Sequence, residues 1–148
     1  IPFSYGVAGY PEKHDEAPNM QSDIAWLKAK VDAGADYVVT QMFFDNERYF
    51  QFVESCRQAG IHVPIIPGIK PITACSQLTV LPKIFHIDLP EPLAVELAKC
   101  KSDEEAKEVG IEWCTLQAKA LKASGVPSIH FYSMAAAQSI KRIAQQVY

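Results

Sequence analysis

The chain has 148 residues, of which 49% are apolar, 21% charged and 10% aromatic, a composition that suits one folded domain and excludes a disordered, collagen-like or low-complexity polypeptide. With 14 Lys and Arg against 17 Asp and Glu the formal charge is −3, so no global field would hold a nucleic acid or an anionic membrane. No apolar run approaches the length that crosses a bilayer, and the cysteines at 56, 75, 100 and 114, without CxxC spacing or a near histidine, read as reduced thiols of a cytoplasmic protein.

The opening Ile-Pro-Phe-Ser-Tyr-Gly reads as neither a signal peptide nor a natural start, as if cut at its front end. Residues 4–10, SYGVAGY, predict a short strand ended by Pro11, and 11–21 have loop composition. Ile24, Leu27 and Val31 then recur at helical spacing over 22–33, with Gly34 as the stop. The β-branched and aromatic run YVVTQMFF at 37–44 predicts a second strand, and Asp45 a cap for a helix carrying Tyr49, Phe50, Val53 and Cys56 up to Gly60. HVPIIPGI at 62–69 reads as a buried strand whose Pro64 and Pro67 confine its ladder bonding. Residues 73–101 predict two short helices around a proline-rich bend.

Ser102 with Glu105 is a capping-box signature for a long helix whose Val109, Trp113, Leu116 and Ala120 share a face and which ends at Gly125. PSIHFY at 127–132 predicts a strand, and Ile140, Ile143, Ala144 and Val147 define a last helix. The alternation argues for an α/β fold of right-handed βαβ units on a parallel sheet. Four such units are about half of a (β/α)8 barrel, whose usual length is about 250 residues; a complete small open sheet is the alternative. The open-sheet nucleotide folds carry a third glycine that Gly6 and Gly9 lack, which favours the barrel.

In a parallel barrel, chemistry sits where strands end and βα loops begin. Gln41 stands there inside an apolar run, with a donor and an acceptor that need partners from a ligand or from neighbouring backbone. Tyr10, His14 and Lys30 offer an aromatic surface, an imidazole and a cation suited to an aromatic cofactor with phosphates. Against that stand a solvated loop histidine and a lysine that complements its helix end. Asp45 reads as a cap; Trp26, Trp113 and the cysteines read as packing residues. No nucleophile triad, metal-ligand spacing or phosphate-cradling glycine loop is present, so any enzymatic chemistry falls to a cofactor or to an acid outside these residues.

VAGYPEKHDEA at 7–17, LKAKVDAGADYVVTQMFFD at 27–45, PIIPGIKPI at 64–72 and GVPSIHFYSM at 125–134 together resemble methylenetetrahydrofolate reductases. The resemblance implies a flavoprotein built on a (β/α)8 barrel, of which this chain is the C-terminal half in a single partial domain, 1–148. It implies reduction of 5,10-methylenetetrahydrofolate to 5-methyltetrahydrofolate by NADH or NADPH through FAD, as a step of one-carbon metabolism and methionine biosynthesis. Tyr10, His14, Ala17, Asp23 and Lys30 match the family's FAD-binding positions, and Gln41 and Gln77 its folate contacts. The catalytic acid belongs to the N-terminal half, so no catalytic residue is expected in this chain, and no metal. Two departures stand out: Ala135 and Ala136 follow HFYSM where many members carry asparagine and arginine, and Ala29 replaces a basic residue. Open sheet edges imply a homo-oligomer. Other readings are a non-catalytic half-barrel that self-associates, or a FAD-binding relative with another substrate.

Overall fold

In the computed structural model, which describes residues 1–148, strands and helices alternate as the sequence predicts. β1 (Gly6–Gly9), α1 (Met20–Asp32), β2 (Tyr37–Thr40) and α2 (Asn46–Gln58) come first, then β3 (Ile65–Ile66) and β4 (Gly68–Ile69). α3 (Gln77–Phe85), α4 (Glu91–Lys99), α5 (Asp103–Ala123), β5 (His130–Phe131) and α6 (Ala137–Val147) complete the chain. No helix is long and apolar enough to cross a membrane.

All strand pairings are parallel. Gly6 to Gly9 pair with Tyr37 to Thr40, Val38 and Val39 with Ile65 and Ile66, and Gly68 and Ile69 with His130 and Phe131. β3 and β4 are two halves of one stave, so the order is β1, β2, β3/β4, β5. The break is Pro67, which has no N–H to give; its carbonyl accepts instead from His130 N at 2.9 Å. Thr40 bridges the gap: its Oγ1 accepts from Gly68 N at 2.9 Å, and its carbonyl accepts from Tyr132 Oη at 2.7 Å. Together these staves make half of a (β/α)8 barrel.

One face of the sheet carries the core. Val38, Ile65 and Ile69 pack with Ile24 and Leu27 of α1, Tyr49, Phe52 and Cys56 of α2, Ile111, Cys114, Ala118 and Leu121 of α5 and Ile143 of α6. Ala8, Val39 and Ile66 alternate onto the opposite, open face. A second cluster, Met42, Phe44, Ile72, Leu81, Ile87, Leu93, Leu97 and Ala106, seats α3 and α4 beyond the strand ends.

The caps fall close to their expected places. Asp45 accepts from Glu47 N at 3.0 Å and Ser102 from Glu105 N at 3.2 Å, while Glu105 reaches back one residue further than the capping box requires, to Lys101 N at 2.6 Å. α1 starts two residues earlier than expected because Asn19 caps it through Ser22 N at 2.8 Å. The second strand is shorter than the apolar run suggests: β2 ends at Thr40, and Met42, Phe43 and Phe44 are buried as loop rather than as sheet. The expected strands at 62–69 and 127–132 likewise shrink to the residues around Pro67 and to His130–Phe131.

Two packing expectations are corrected. On α5, Leu116 and Ala120 are exposed and Val109 and Trp113 only half-buried; the buried residues are Ala106, Gly110, Ile111, Cys114, Thr115, Gln117, Ala118 and Leu121. Small residues are required at Ala106 and Gly110, where the helix lies directly against the strand exit and a Cβ on Gly110 would collide with the Ile72 carbonyl. Trp26 is 70% exposed, on the side of α1 away from Ile24 and Leu27. Gly110→Ala is expected to destabilise the protein by about 1–3 kcal/mol, because backbone on both sides must move; a denaturant midpoint equal to wild type would contradict that packing.

Candidate functional site

Two of the three loops with candidate residues leave the C-terminal ends of adjacent strands, β1 and β2. After β1, Pro11 fixes φ at the second position of a turn closed by Lys13 N to Tyr10 O at 3.0 Å. Lys13 itself adopts φ of 75° and folds its ammonium back onto the loop, donating to the carbonyls of His14 (2.8 Å), Asp15 (3.3 Å) and Ala17 (2.6 Å). The loop is therefore wound around its own lysine. Ala17 N closes the next turn onto His14 O at 3.1 Å, which puts Ala17 at the end of this coil.

The winding gathers the expected cofactor residues. The Tyr10 and His14 rings meet edge to face with centroids 4.6 Å apart, and the His14 amide donates to Asp23 Oδ2 at 2.9 Å. His14 Nδ1 accepts from Glu16 N at 3.1 Å, which leaves Nε2 as the outward nitrogen. Tyr10, Asp23 and Lys30 close on one another around a crevice of about 10 Å³, with Ala8 and Gly9 of β1 and Phe52 of α2, while His14 stands outside it, so a ligand would lie over this cluster rather than within it. Asp23 keeps its second oxygen free of protein partners, and Lys30 forms no ion pair. Aromatic ring, carboxylate oxygen, imidazole nitrogen and ammonium thus stand at one strand end, a donor set that suits a nucleotide's base, ribose and phosphates.

Gln41 begins the loop after β2, half-buried, its own N–H tied to Gly9 O at 2.8 Å. Its Oε1 accepts from Met42 N at 2.9 Å while Nε2 has no protein partner. The carbonyl is thus a local structural acceptor for backbone, while the NH₂ is left without a protein acceptor. α5 clamps the same loop, with Trp113 Nε1 donating to Phe44 O at 2.8 Å and Gln117 Nε2 to Phe43 O at 3.1 Å. Gln77 stands apart, at the start of α3; its Oε1 accepts from Thr73 N at 2.7 Å and its Nε2 donates to Thr73 Oγ1 at 3.2 Å. Its amide shapes the loop after β4.

Sequence reasoning passed over Glu12, Lys13 and Lys70, because charges in loop or strand-end segments read as solvated. Lys70 is 1% exposed, donates to Pro71 O at 3.0 Å, and has its amine pKa lowered by burial, with Cys114 acting weakly the other way. Glu12 reaches the bend between α3 and α4, accepting from Asp88 N at 3.1 Å, and its Oε2 is buried without a partner. Burial, with Asp88 nearby, pushes the Glu12 carboxyl up to about 7 from 4.5, against the Asp88 N–H and the Arg48 guanidinium, which pull it down. His86 approaches Asp15 at 3.4 Å, a second tie between bend and loop.

The family match follows the same elements. The methylenetetrahydrofolate reductase family model matches residues 2–148. This chain belongs to the methylenetetrahydrofolate reductase family. It is 40% identical over 147 residues to a probable methylenetetrahydrofolate reductase (NADPH) of Caenorhabditis elegans, an alignment covering 98% of this chain and 22% of that protein. It is 39% identical to 5,10-methylenetetrahydrofolate reductase of Escherichia coli strain K12, over 89% of this chain and 45% of the relative. The chain thus spans between about a fifth and under half of the curated methylenetetrahydrofolate reductases it matches. A solved structure of an uncharacterized Clostridium thermocellum protein, described as binding two copies of 5-methyl-5,6,7,8-tetrahydrofolic acid, superposes with a TM-score of 0.61 at 18% identity. That superposition covers 97% of this chain and 52% of the other, as one half of a barrel would.

The Glu12 environment makes a pH-dependent prediction for this reductase-family fold. With the folded pKa above the unfolded one, the stabilising contribution is complete below pH 4.5 and is lost as pH rises to about 7. Glu12→Gln keeps an acceptor for Asp88 N and cannot ionise, so between pH 4.5 and 7.5 its melting temperature should fall less than that of wild type. Parallel thermal melts across that range check it; curves of identical slope would contradict the burial of a neutral carboxyl.

Proposed function

We propose that the protein to which this chain belongs reduces 5,10-methylenetetrahydrofolate to 5-methyltetrahydrofolate, using FAD and a nicotinamide nucleotide, and that these residues supply the C-terminal half of its flavin and folate site. The observation that carries the reading is the convergence of Tyr10, His14, Asp23 and Lys30 on the β1 exit, beside a Gln41 amide with an unused donor. The donor set fits FAD: Lys30 and His14 Nε2 would face its phosphates, the free Asp23 oxygen would accept from ribose hydroxyls, and Tyr10 and Ala17 would border its rings. FAD, when bound, supplies hydride chemistry that no side chain here can perform. Gln41 Nε2 donates to the pterin and fixes its orientation. The proton that completes folate reduction comes from an acid outside these residues. The C. elegans relative is named for NADPH and an Arabidopsis thaliana relative, 39% identical, for NADH; the reading takes either nucleotide.

The Met42 contact determines how Gln41 should be tested. Gln41→Leu would remove a backbone partner as well as a ligand contact, whereas Gln41→Glu keeps the acceptor for Met42 N and removes the NH₂ donor. In the full-length protein, Gln41→Glu should retain flavin and melting temperature while losing about 1–3 kcal/mol of folate affinity. The half-reaction with folate should slow more than the half-reaction with the nicotinamide nucleotide. Stopped-flow measurement of both, alongside a melting curve, checks this; equal slowing of both with a lowered melting temperature would make Gln41 a core amide only.

A further inference from the structure

Cys56 and Cys114 are buried in the main core, whereas Cys75 and Cys100 are half-buried and both pack at the rim of the second cluster. Cys75 sits in the loop after β4, between Thr73 and Gln77, and Cys100 ends α4 with extended backbone. The Cys75 side chain reaches into the turn that joins α4 to α5. Its thiol donates to Ser102 O at 3.3 Å and lies 3.9 Å from Cys100 O, while its amide donates to Asp103 Oδ1 at 3.0 Å. The Cys100 thiol faces the other way, donating to Glu96 O at 3.3 Å on its own helix. Two thiols from segments 25 residues apart thus meet at one turn.

The chemistry open to this pair is narrow. No three His, Cys, Asp or Glu side chains stand close enough together to hold a metal ion. Partial burial, with Asp103, Cys100 and Glu105 acting in the same direction, raises the pKa of the Cys75 thiol. A sulfur held protonated is a slow nucleophile towards a passing oxidant, but it can still resolve a mixed disulfide on its neighbour. We infer that Cys75 and Cys100 form a reversible disulfide that latches the loop after β4 onto the α4–α5 turn and holds Gln77 away from its ligand. The bond itself follows from the two sulfurs; its effect on Gln77 rests on the folate reading above.

The oxidant is a small-molecule disulfide such as oxidised glutathione. The Cys100 sulfur attacks it and releases one glutathione thiol. Cys100 then turns from Glu96 O towards Cys75, whose sulfur gives up its proton, attacks the Cys100 sulfur and expels the second glutathione as a thiol. Two protein thiols are oxidised, one small disulfide is reduced, and one S–S bond replaces another. The consequence for the site follows from the turn that Cys75 occupies. Both ends of the Gln77 amide are engaged with Thr73, Oε1 with its N–H at 2.7 Å and Nε2 with its hydroxyl at 3.2 Å. The Thr73–Gln77 turn must open before that amide can meet a ligand, and a covalent tie at Cys75, in the middle of the turn, opposes the opening.

The test uses the full-length protein, equilibrated at about pH 8 with mixtures of oxidised and reduced glutathione, then alkylated, digested and mapped by mass spectrometry. The peptides that carry Cys75 and Cys100 should be recovered joined, and separate again after dithiothreitol. Calorimetry on protein freed of glutathione should show affinity for 5-methyltetrahydrofolate about fivefold weaker in the oxidised form and restored on reduction. Cys75→Ser and Cys100→Ser should each keep the reduced affinity and lose the response to oxidant. Free thiols in the oxidising mixture, or glutathione adducts on single cysteines without the joined pair, would overturn the latch. A joined pair with unchanged affinity would overturn its hold on Gln77. Reduced wild type that fails to bind 5-methyltetrahydrofolate would overturn the folate reading, and with it the hold on Gln77, while the peptide map still decides the disulfide.

Discussion

Thr40 is the residue on which the sheet depends. A parallel stave that contains a proline cannot offer a continuous ladder, and Pro67 splits this one into two pieces that pair with different neighbours. Thr40, fully buried at the end of β2, takes the amide of Gly68 on its hydroxyl and the Tyr132 phenol on its carbonyl. Three staves are thereby joined at one side chain and one peptide. Gly68 has to be glycine for this joint to close, since a Cβ there would lie 2.5 Å from the Thr40 carbonyl oxygen. The same joint fixes the exit of β2, and with it the start of the loop that holds Gln41.

Beyond the joint, the site is organised by polar side chains that satisfy backbone the sheet has abandoned. Residues 42–44 leave the ladder while still buried, so their carbonyls need donors. Trp113 and Gln117 supply these from α5. The β1 loop solves the same problem differently, gathering three carbonyls on the Lys13 ammonium. In each case a side chain bonded to loop carbonyls decides where a candidate site residue stands, Gln41 in one loop and His14 in the other.

This division explains what could be read from the sequence. Local rules found the helices, because their signals are carried by adjacent residues: Asp45 and Ser102 cap, and Gly34, Gly60 and Gly125 sit beyond helix ends with φ of 120°, 84° and 79°. The motif residues around Tyr10 and Gln41 were legible as a resemblance, and their convergence follows from the strand order. What stayed hidden depends on partners far along the chain. Nothing near Glu12 announces Asp88, 76 residues away, and nothing near Gln117 announces the Phe43 carbonyl. The buried face of α5 was misassigned for a related reason. Bulky residues mark a helix face only when the gap to be filled is wide; here Gly110 and Ala106 close the near end of the face, and the bulky buried residues are Ile111 and Leu121, off the row read from spacing.

The split stave also has a bearing on how the fold breathes. β5 is tied to the remaining strands through two residues of β4, the Pro67 and Ile69 carbonyls and the Tyr132 phenol. Its helix, α6, packs mainly on α5. The sheet thus holds the last βα unit along one short seam, and the rest of its hold is helix packing, with Ile143 and Val147 of α6 buried in the core shared with α1, α2 and α5. The amides of His130 and Tyr132 would exchange with solvent deuterium together, ahead of those in β2.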